Sequence, residues 1–240
     1  MGPEFVWYGL SILRGNLDWP RKLTEAIRRS IPKARIESLT DLIFGLGLSI
    51  GAVSLLSKPP SSPADVMTDL FAFGFSFLIL ISIWFRYTNI MSVHPVETTG
   101  TIVLNAVMLF LVSIEPYLLS LLTFDAFQSS RAAVLNFASV AYGLDLGGLT
   151  LIMGLFAHQL TIPERKMVSP ELAGKYRRIR NEQFFAAALF AATTLPPFWS
   201  LQILGAPVRF YLWYAILVFT WTCRLTWESK NQILVQRDDP

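Results

Sequence analysis

Carboxyl side chains stand within long apolar segments of this 240-residue chain, and the candidates for chemistry among them are Asp41, Glu115 and Asp145. An ionised Asp at the centre of a membrane costs about 2.5–3.5 kcal/mol on insertion scales. Such a residue therefore marks either an ion or proton pathway or a hydrogen-bonded structural contact. Glu115 could attract cations at the mouth of a pore, but the adjacent Pro116 favours an interfacial Glu at a proline kink.

Asp145 lies in the middle of its apolar segment and is a candidate ion- or proton-coupling residue because of that depth. A structural Asp that pairs with Tyr142 or Asn105 explains the sequence equally well. The neighbouring Gly143 and Gly147 are four residues apart and predict close packing against another helix.

Asp41 stands near the start of its segment, six residues after Arg35. That spacing is about 240° around a regular helix, so the two side chains do not share a face. We expect the hydrogen-bond partners of Asp41 on neighbouring helices. The alternative is an interfacial Asp whose carboxylate reaches the headgroup region.

Enzyme chemistry has no support in the sequence. It contains one cysteine and two distant histidines, and it lacks a nucleophile–base pair, metal-ligand spacing and a phosphate-binding loop. The aromatic residues concentrate in and near apolar segments, as in membrane proteins, rather than among basic residues that bind nucleic acid. We therefore expect a protein that is not an enzyme, with no metal, cofactor or nucleic-acid partner.

Long apolar segments define the predicted fold. The chain is 53% hydrophobic and 15% charged, whereas a soluble domain carries about 25% charged residues. Segments of about 20 apolar residues, enough to cross a bilayer, predict an all-α membrane protein with six transmembrane helices. They lie at about 36–57, 70–91, 100–122, 132–160, 184–204 and 208–225, and Pro196 and Pro197 predict a kink or unwinding in the fifth.

Basic residues set the predicted orientation. Only Lys58, Arg131 and Arg209 fall on one side of the membrane, and the other 17 of the 20 Lys and Arg residues fall on the opposite side. By the positive-inside rule both termini are cytoplasmic, and we expect a prokaryotic plasma membrane. The predicted domains are a cytoplasmic segment (1–34), a six-span domain (35–227) and a cytoplasmic tail (228–240).

The segment before the first span predicts a short amphipathic helix at 19–31. Leu23, Ile27 and Ile31 form an apolar stripe beside basic residues, and Asp18 is a candidate N-cap. Such a helix lies on the inner leaflet and contacts anionic lipid headgroups. A solvated linker helix is the alternative.

Several short motifs resemble one known family. Arg35 and Asp41 match the Arg-x-x-x-Phe-Ser-Asp signature that opens the first helix of the transmembrane protein 175 family, with Leu39 and Thr40 in place of the Phe and Ser. Ser76 is similar to the serine of the family's second helix. Further matches in order are the second-helix Trp84, where Tyr87-Thr88 replace the usual His pair, the third-helix Asn105 and the closing Pro116-Tyr117.

The resemblance covers about residues 35–122 and implies a potassium-permeable channel. Family members are potassium channels with a pore lined by the first helix and bulky apolar residues at the constriction. The constriction position, five residues after the signature Asp, is Leu46 here. Ile50 and Val53 share its helix face and Ser49 adds a hydroxyl, whereas lipid contact or core packing is the interpretation without the resemblance. The family implies a homotetramer, with membrane lipids and potassium ions as its other partners.

The remaining faces of the first helix have a predicted structural role. Asp41 is about 140° from Leu46 around the helix, so it would brace helices rather than face the pore, and Gly47 and Gly51 would admit a close neighbour. We expect Arg35, Thr40, Asp41, Ser76, Trp84 and Asn105 to form a structural network. Two other functions stay open: a small secondary transporter that uses Asp145 for coupling, and a non-conducting membrane scaffold.

Overall fold

The computed structural model describes residues 35–53, 55, 62–94, 99–124, 132–163, 167–203 and 206–237. The amphipathic helix expected at 19–31, and the whole of the expected 1–34 segment, lie outside the described residues.

The described part of the chain is mostly helical. Two short strands, β1 (Gln202–Ile203) and β2 (Ala206–Pro207), pair antiparallel between the sixth and seventh helices. The helices in chain order are α1 (Arg35–Val53), α2 (Pro63–Met91), α3 (Thr99–Phe124), α4 (Ala132–Leu160), α5 (Pro170–Thr193), α6 (Pro197–Ser200) and α7 (Val208–Arg237).

Four described helices, α1 to α4, are long and apolar enough to cross a membrane. They correspond to the first four predicted spans. The fifth predicted span falls on the apolar second half of α5, which ends at Thr193 ahead of Pro196 and Pro197, and the short α6 follows. The sixth falls on α7. The count of six spans and the cytoplasmic termini stay predictions.

Serine–proline pairs start two of the helices. Ser62 precedes α2 and its hydroxyl accepts a hydrogen bond from the Asp65 backbone N–H at 3.2 Å. Ser169 accepts in the same way from the Leu172 N–H, at 3.4 Å, ahead of α5. In both, proline occupies the first helical position, where its missing N–H costs no hydrogen bond.

Helix α4 occupies the centre of the bundle. In its most apolar stretch of 18 residues 61% of the residues are buried, against 22% in the corresponding stretch of α1. Small residues allow the close packing predicted for it. A Cβ at Gly147 would lie 3.5 Å from the Ala187 carbonyl oxygen of α5, and a Cβ at Gly143 would lie 3.3 Å from the Thr194 methyl group. Glycine therefore lets α5 and the segment after it approach the α4 backbone.

Candidate functional site

One face of α1 is apolar and uncovered in the single chain. Leu46, Ile50 and Val53 are 50%, 54% and 63% exposed. The Ser49 side chain is exposed beside them, and its hydroxyl donates to the Gly45 carbonyl oxygen at 2.8 Å. Leu46, Ile50 and Val53 lie on one face of the helix with Ser49 beside them, and this face points away from the bundle.

The opposite face of α1 is buried against α2 and α3. Thr40, Phe44, Gly47 and Gly51 follow it along the helix, and all four are buried. A Cβ at Gly47 would lie 3.4 Å from the Val112 carbonyl oxygen of α3, and a Cβ at Gly51 would lie 3.4 Å from the Phe73 ring of α2. The glycine pair therefore admits helices of the same chain.

A polar group fastens the first turns of α1 to α2 and α3. We call Thr40, Asp41, Trp84, Tyr87 and Asn105 the inner cluster. The indole N–H of Trp84 donates to the Asp41 carboxylate at 2.8 Å. The Tyr87 and Thr40 hydroxyls are 3.2 Å apart, and the Asn105 amide donates to Thr40 at 3.4 Å.

The number of protons on each hydroxyl determines which groups of the inner cluster donate and which accept. Thr40 has one hydroxyl proton, and it donates this proton to the Ile36 carbonyl oxygen at 2.8 Å. The Thr40 oxygen is then left as the acceptor for both Tyr87 and Asn105. One buried threonine thus ties α1 to α2 and α3 at the same time.

The structure brings together four of the six residues expected in the signature network: Thr40, Asp41, Trp84 and Asn105. Arg35 is exposed at the first residue of α1, and Ser76 belongs to a separate group. Tyr87, which we did not predict as a member, completes the cluster. Its signal was its position three residues after Trp84, on the same face of α2.

Glu115 lies at the centre of a second polar group, the carboxylate cluster of Ser76, Glu115 and Tyr142. Glu115 is fully buried, and its two carboxylate oxygens accept from the Ser76 hydroxyl at 2.7 Å and the Tyr142 hydroxyl at 2.8 Å. This placement corrects both sequence interpretations, a pore mouth and an interfacial Glu. The carboxylate instead joins α2, α3 and α4, because both donors come from neighbouring helices.

Asp145 is buried without either of its expected partners. Tyr142 donates to Glu115, and Asn105 donates to Thr40. Among the described residues neither carboxylate oxygen of Asp145 has a hydrogen-bond partner. The expected pairing with Tyr142 or Asn105 is therefore wrong, and the cost of burying such a carboxyl group needs another explanation.

An arginine that the sequence placed among the outer-side charges is buried. Arg209, at the start of α7, is 1% exposed. Its guanidinium donates to the Ser139 hydroxyl at 2.7 Å and to the Asn136 amide oxygen at 3.3 Å, and it lies 5.2 Å from the centre of the Trp199 ring. The arginine ties α7 to α4, a contact that hydropathy and charge counts do not reveal.

Comparison with known proteins agrees with the sequence motifs. Residues 35–116 match the sequence model of a family described as the endosomal/lysosomal potassium channel TMEM175. The chain also matches the crystal structure of a lysosomal potassium-selective channel TMEM175 homolog from Chamaesiphon minutus, with a TM-score of 0.57 and 16% identity. That match covers 79% of this chain and 96% of the other. No curated protein matches the chain significantly.

Both matches describe ion channels rather than enzymes, and with the apolar helices they show an integral membrane protein. The family match lies within the segment of about 35–122 that the motifs predicted, and it contains α1, α2 and most of α3. The resemblance predicted from the sequence is thus confirmed: residues 35–116 match the TMEM175 family model, and the chain is similar in fold to the solved TMEM175 homolog.

Proposed function

We propose that this chain is one subunit of a potassium-permeable cation channel whose pore is lined by α1. The observation that carries the proposal is the exposed apolar face of α1 at Leu46, Ile50 and Val53, on a helix whose opposite face is fastened to α2 and α3. Such a helix is held in place while one face stays free for a pore.

The conduction path lies between copies of the chain in this proposal. The centre of the bundle is filled, since large α4 side chains such as Tyr142, Met153 and Phe156 are fully buried. We therefore place one α1 from each copy around a shared axis. Four copies, as the family resemblance implies, would form a homotetramer in the plasma membrane.

The constriction in this proposal is an apolar ring at Leu46, with Ile50 and Val53 extending it along the pore. An apolar ring closes a pore to ions when water leaves it. Ser49 adds a hydroxyl oxygen near the ring that can interact with a partly hydrated potassium ion. The permeant ion needs no cofactor or fixed metal site.

Leu46→Ala tests the assignment. The substitution shortens the side chain by two carbon–carbon bonds, roughly 2.5 Å of reach in each subunit, so the ring should widen and stay hydrated. We expect a larger potassium flux and a smaller ratio of potassium to sodium permeability. Both are measured with purified protein in liposomes under matched potassium and sodium gradients.

Leu144→Ala is the matched control, because Leu144 is also a leucine, is 54% exposed against 50% for Leu46, and lies on α4. It should leave flux and selectivity unchanged. Neither exposed substitution should alter stability by more than about 0.5 kcal/mol. If Leu46→Ala conducts and discriminates as the wild type does, Leu46 does not line the pore.

A secondary transporter is the second candidate function, and the buried carboxyl group of Asp145 favours it. Ionisable residues at this depth carry coupled ions or protons in many transporters. This function requires substrate-dependent flux that Asp145→Asn abolishes, without passive cation conductance. Passive potassium flux in the same liposomes would reject it, and the absence of both activities would indicate a scaffold.

A further inference from the structure

A surface cleft of about 400 Å³ lies between α5, from Gly174 to Phe185, and Phe219 of α7. Its polar end contains Arg177, Arg178 and Asn181, and its apolar wall contains Phe185 and Phe219. The volume falls in the range of about 300–1,000 Å³ that is usual for small-molecule sites. The cleft is separate from α1 and from both polar clusters.

Charge in the cleft favours an anion. Glu182 also lines it, but the Glu182 carboxylate forms an ion pair with Arg86 of α2 at 3.0 Å, and both side chains are largely buried. The acidic charge is thus compensated from outside the cleft. Arg177 then gives the lining a positive charge, and the guanidinium groups of Arg177 and Arg178 suit phosphate oxygens because each can donate several hydrogen bonds.

Asn181 adds a donor to the same end of the cleft. Its amide oxygen accepts from Nε and Nη2 of Arg180 at 3.0 and 2.9 Å. With the oxygen occupied, the amide nitrogen of Asn181 is the group left to face a ligand. The polar end therefore offers donors, which match a ligand rich in acceptor oxygens.

The apolar wall selects among phosphate-bearing ligands. Phe185 and Phe219 are exposed, and their ring centres are 5.9 Å apart. Phe185 follows Arg177 by eight residues, which is roughly 12 Å along a helix. A free phosphate ion would bind the arginines and leave both rings uncovered, whereas a phospholipid covers both ends of the cleft.

We propose that the cleft binds one anionic phospholipid of the inner leaflet. Its phosphate contacts Arg177, Arg178 and Asn181, and its acyl chains lie along Phe185 and Phe219. The predicted orientation supports this leaflet, since α5 begins on the side with most Lys and Arg residues, where basic pockets between helices bind acidic headgroups. The site would exist whether or not the protein conducts potassium.

Native mass spectrometry of the full chain in detergent tests the proposal, with phosphatidylglycerol and phosphatidylcholine of equal chain length as probes. We expect the first phosphatidylglycerol to bind more tightly than phosphatidylcholine. Arg177→Gln and Arg178→Gln should each weaken phosphatidylglycerol binding about fivefold, the effect of one basic residue at an anionic surface. Equal binding of the two lipids by the wild type would overturn the proposal.

Two further variants separate the cleft from general surface charge. Gly174 lines the cleft, and a Cβ there would meet no atom within 4 Å, so the larger side chain of Gly174→Leu should occupy part of the cleft and weaken binding of both lipids. Lys175→Gln removes an exposed charge on the same helix that does not line the cleft, and it should bind phosphatidylglycerol as the wild type does. If Lys175→Gln loses as much affinity for phosphatidylglycerol as Arg177→Gln, the lipid is attracted by the general surface charge of the helix and the cleft is not its binding site.

Inorganic phosphate distinguishes the lipid from its headgroup alone. At millimolar concentration it should not displace bound phosphatidylglycerol, because it cannot contact Phe185 or Phe219. Displacement to the level of the Arg177→Gln variant would overturn the lipid assignment and leave an anion site.

Discussion

Tyr142→Phe removes one hydroxyl from the carboxylate cluster and keeps the rest of the packing. Tyr142 is fully buried, and its ring centre lies 5.1 Å from that of Trp213. Phenylalanine fills nearly the same space and preserves this aromatic contact. The lost group is the donor that Glu115 accepts at 2.8 Å, so the variant isolates one hydrogen bond.

The expected loss of unfolding free energy is about 2 kcal/mol. Leaving a buried acceptor without its donor costs about 1–3 kcal/mol, and more for a charged group. Hydrogen bonds between membrane helices average about 0.6 kcal/mol because the unfolded state finds other partners. We expect a loss above that average because, in the folded chain, Glu115 is fully buried and keeps only the Ser76 hydroxyl at 2.7 Å among the described residues.

Thermal unfolding of the purified protein in detergent measures this loss. For a chain of this length, 1 kcal/mol shifts the midpoint by about 2–4 °C, so Tyr142→Phe should lower it by about 4–8 °C. Tyr214→Phe is the control: its side chain is 42% exposed, and removing its hydroxyl should shift the midpoint very little.

A double variant tests whether the two donors act on the same carboxylate. Ser76→Ala with Tyr142→Phe removes both described donors to Glu115, so the combined loss should exceed the sum of the single losses. Additive losses, or equal midpoints for Tyr142→Phe and Tyr214→Phe, would show that Glu115 is satisfied in another way.

Three glycine substitutions test packing inside the chain and between chains. Gly154→Ala should lower the free energy of unfolding by about 1–3 kcal/mol, because its Cβ would lie 2.5 Å from the Phe184 ring, whereas Gly174→Ala has open space and should raise it by up to about 1 kcal/mol. Gly45→Leu should reduce the assembly to smaller species in light scattering without unfolding the chain, since Gly45 is exposed on α1 and a Cβ there meets no atom within 4 Å.

Gly100→Leu is the control for Gly45→Leu, because Gly100 is equally open but lies at the start of α3. It should leave the assembly unchanged. An intact assembly in Gly45→Leu would argue against close contact between α1 helices. Equal midpoints for Gly154→Ala and Gly174→Ala would mean that the Phe184 ring moves aside at no cost.

The sequence predicted the apolar helices well because the length of an apolar run is a local property. It predicted their ends less well. α2 begins at Pro63 rather than near 70, and α5 begins at Pro170 rather than near 184. Hydropathy reports the apolar part of a helix, whereas the helix itself starts at its N-cap, here Ser62 and Ser169.

Partners of polar side chains were harder to predict than helices. Thr40 and Tyr87 are 47 residues apart, and Ser76 and Glu115 are 39 residues apart. Such contacts depend on which helices become neighbours, and one sequence does not contain that information. Helix geometry could exclude pairing of Asp41 with Arg35, but it could not name Trp84 as the partner.

The composition of the exposed face distinguishes α1 from the other apolar helices. The exposed faces of α2, α3 and α4 carry phenylalanines such as Phe71, Phe110 and Phe137, which suit contact with lipid chains. The exposed face of α1 has no aromatic residue, and it includes Gly45 and Ser49, which permit close approach of another helix or of a hydrated ion. Burial alone does not separate a pore wall from a lipid-facing wall, since both are exposed in one chain. The small and hydroxyl-bearing residues on this face therefore give a reason, independent of the family match, to place α1 against its own copies.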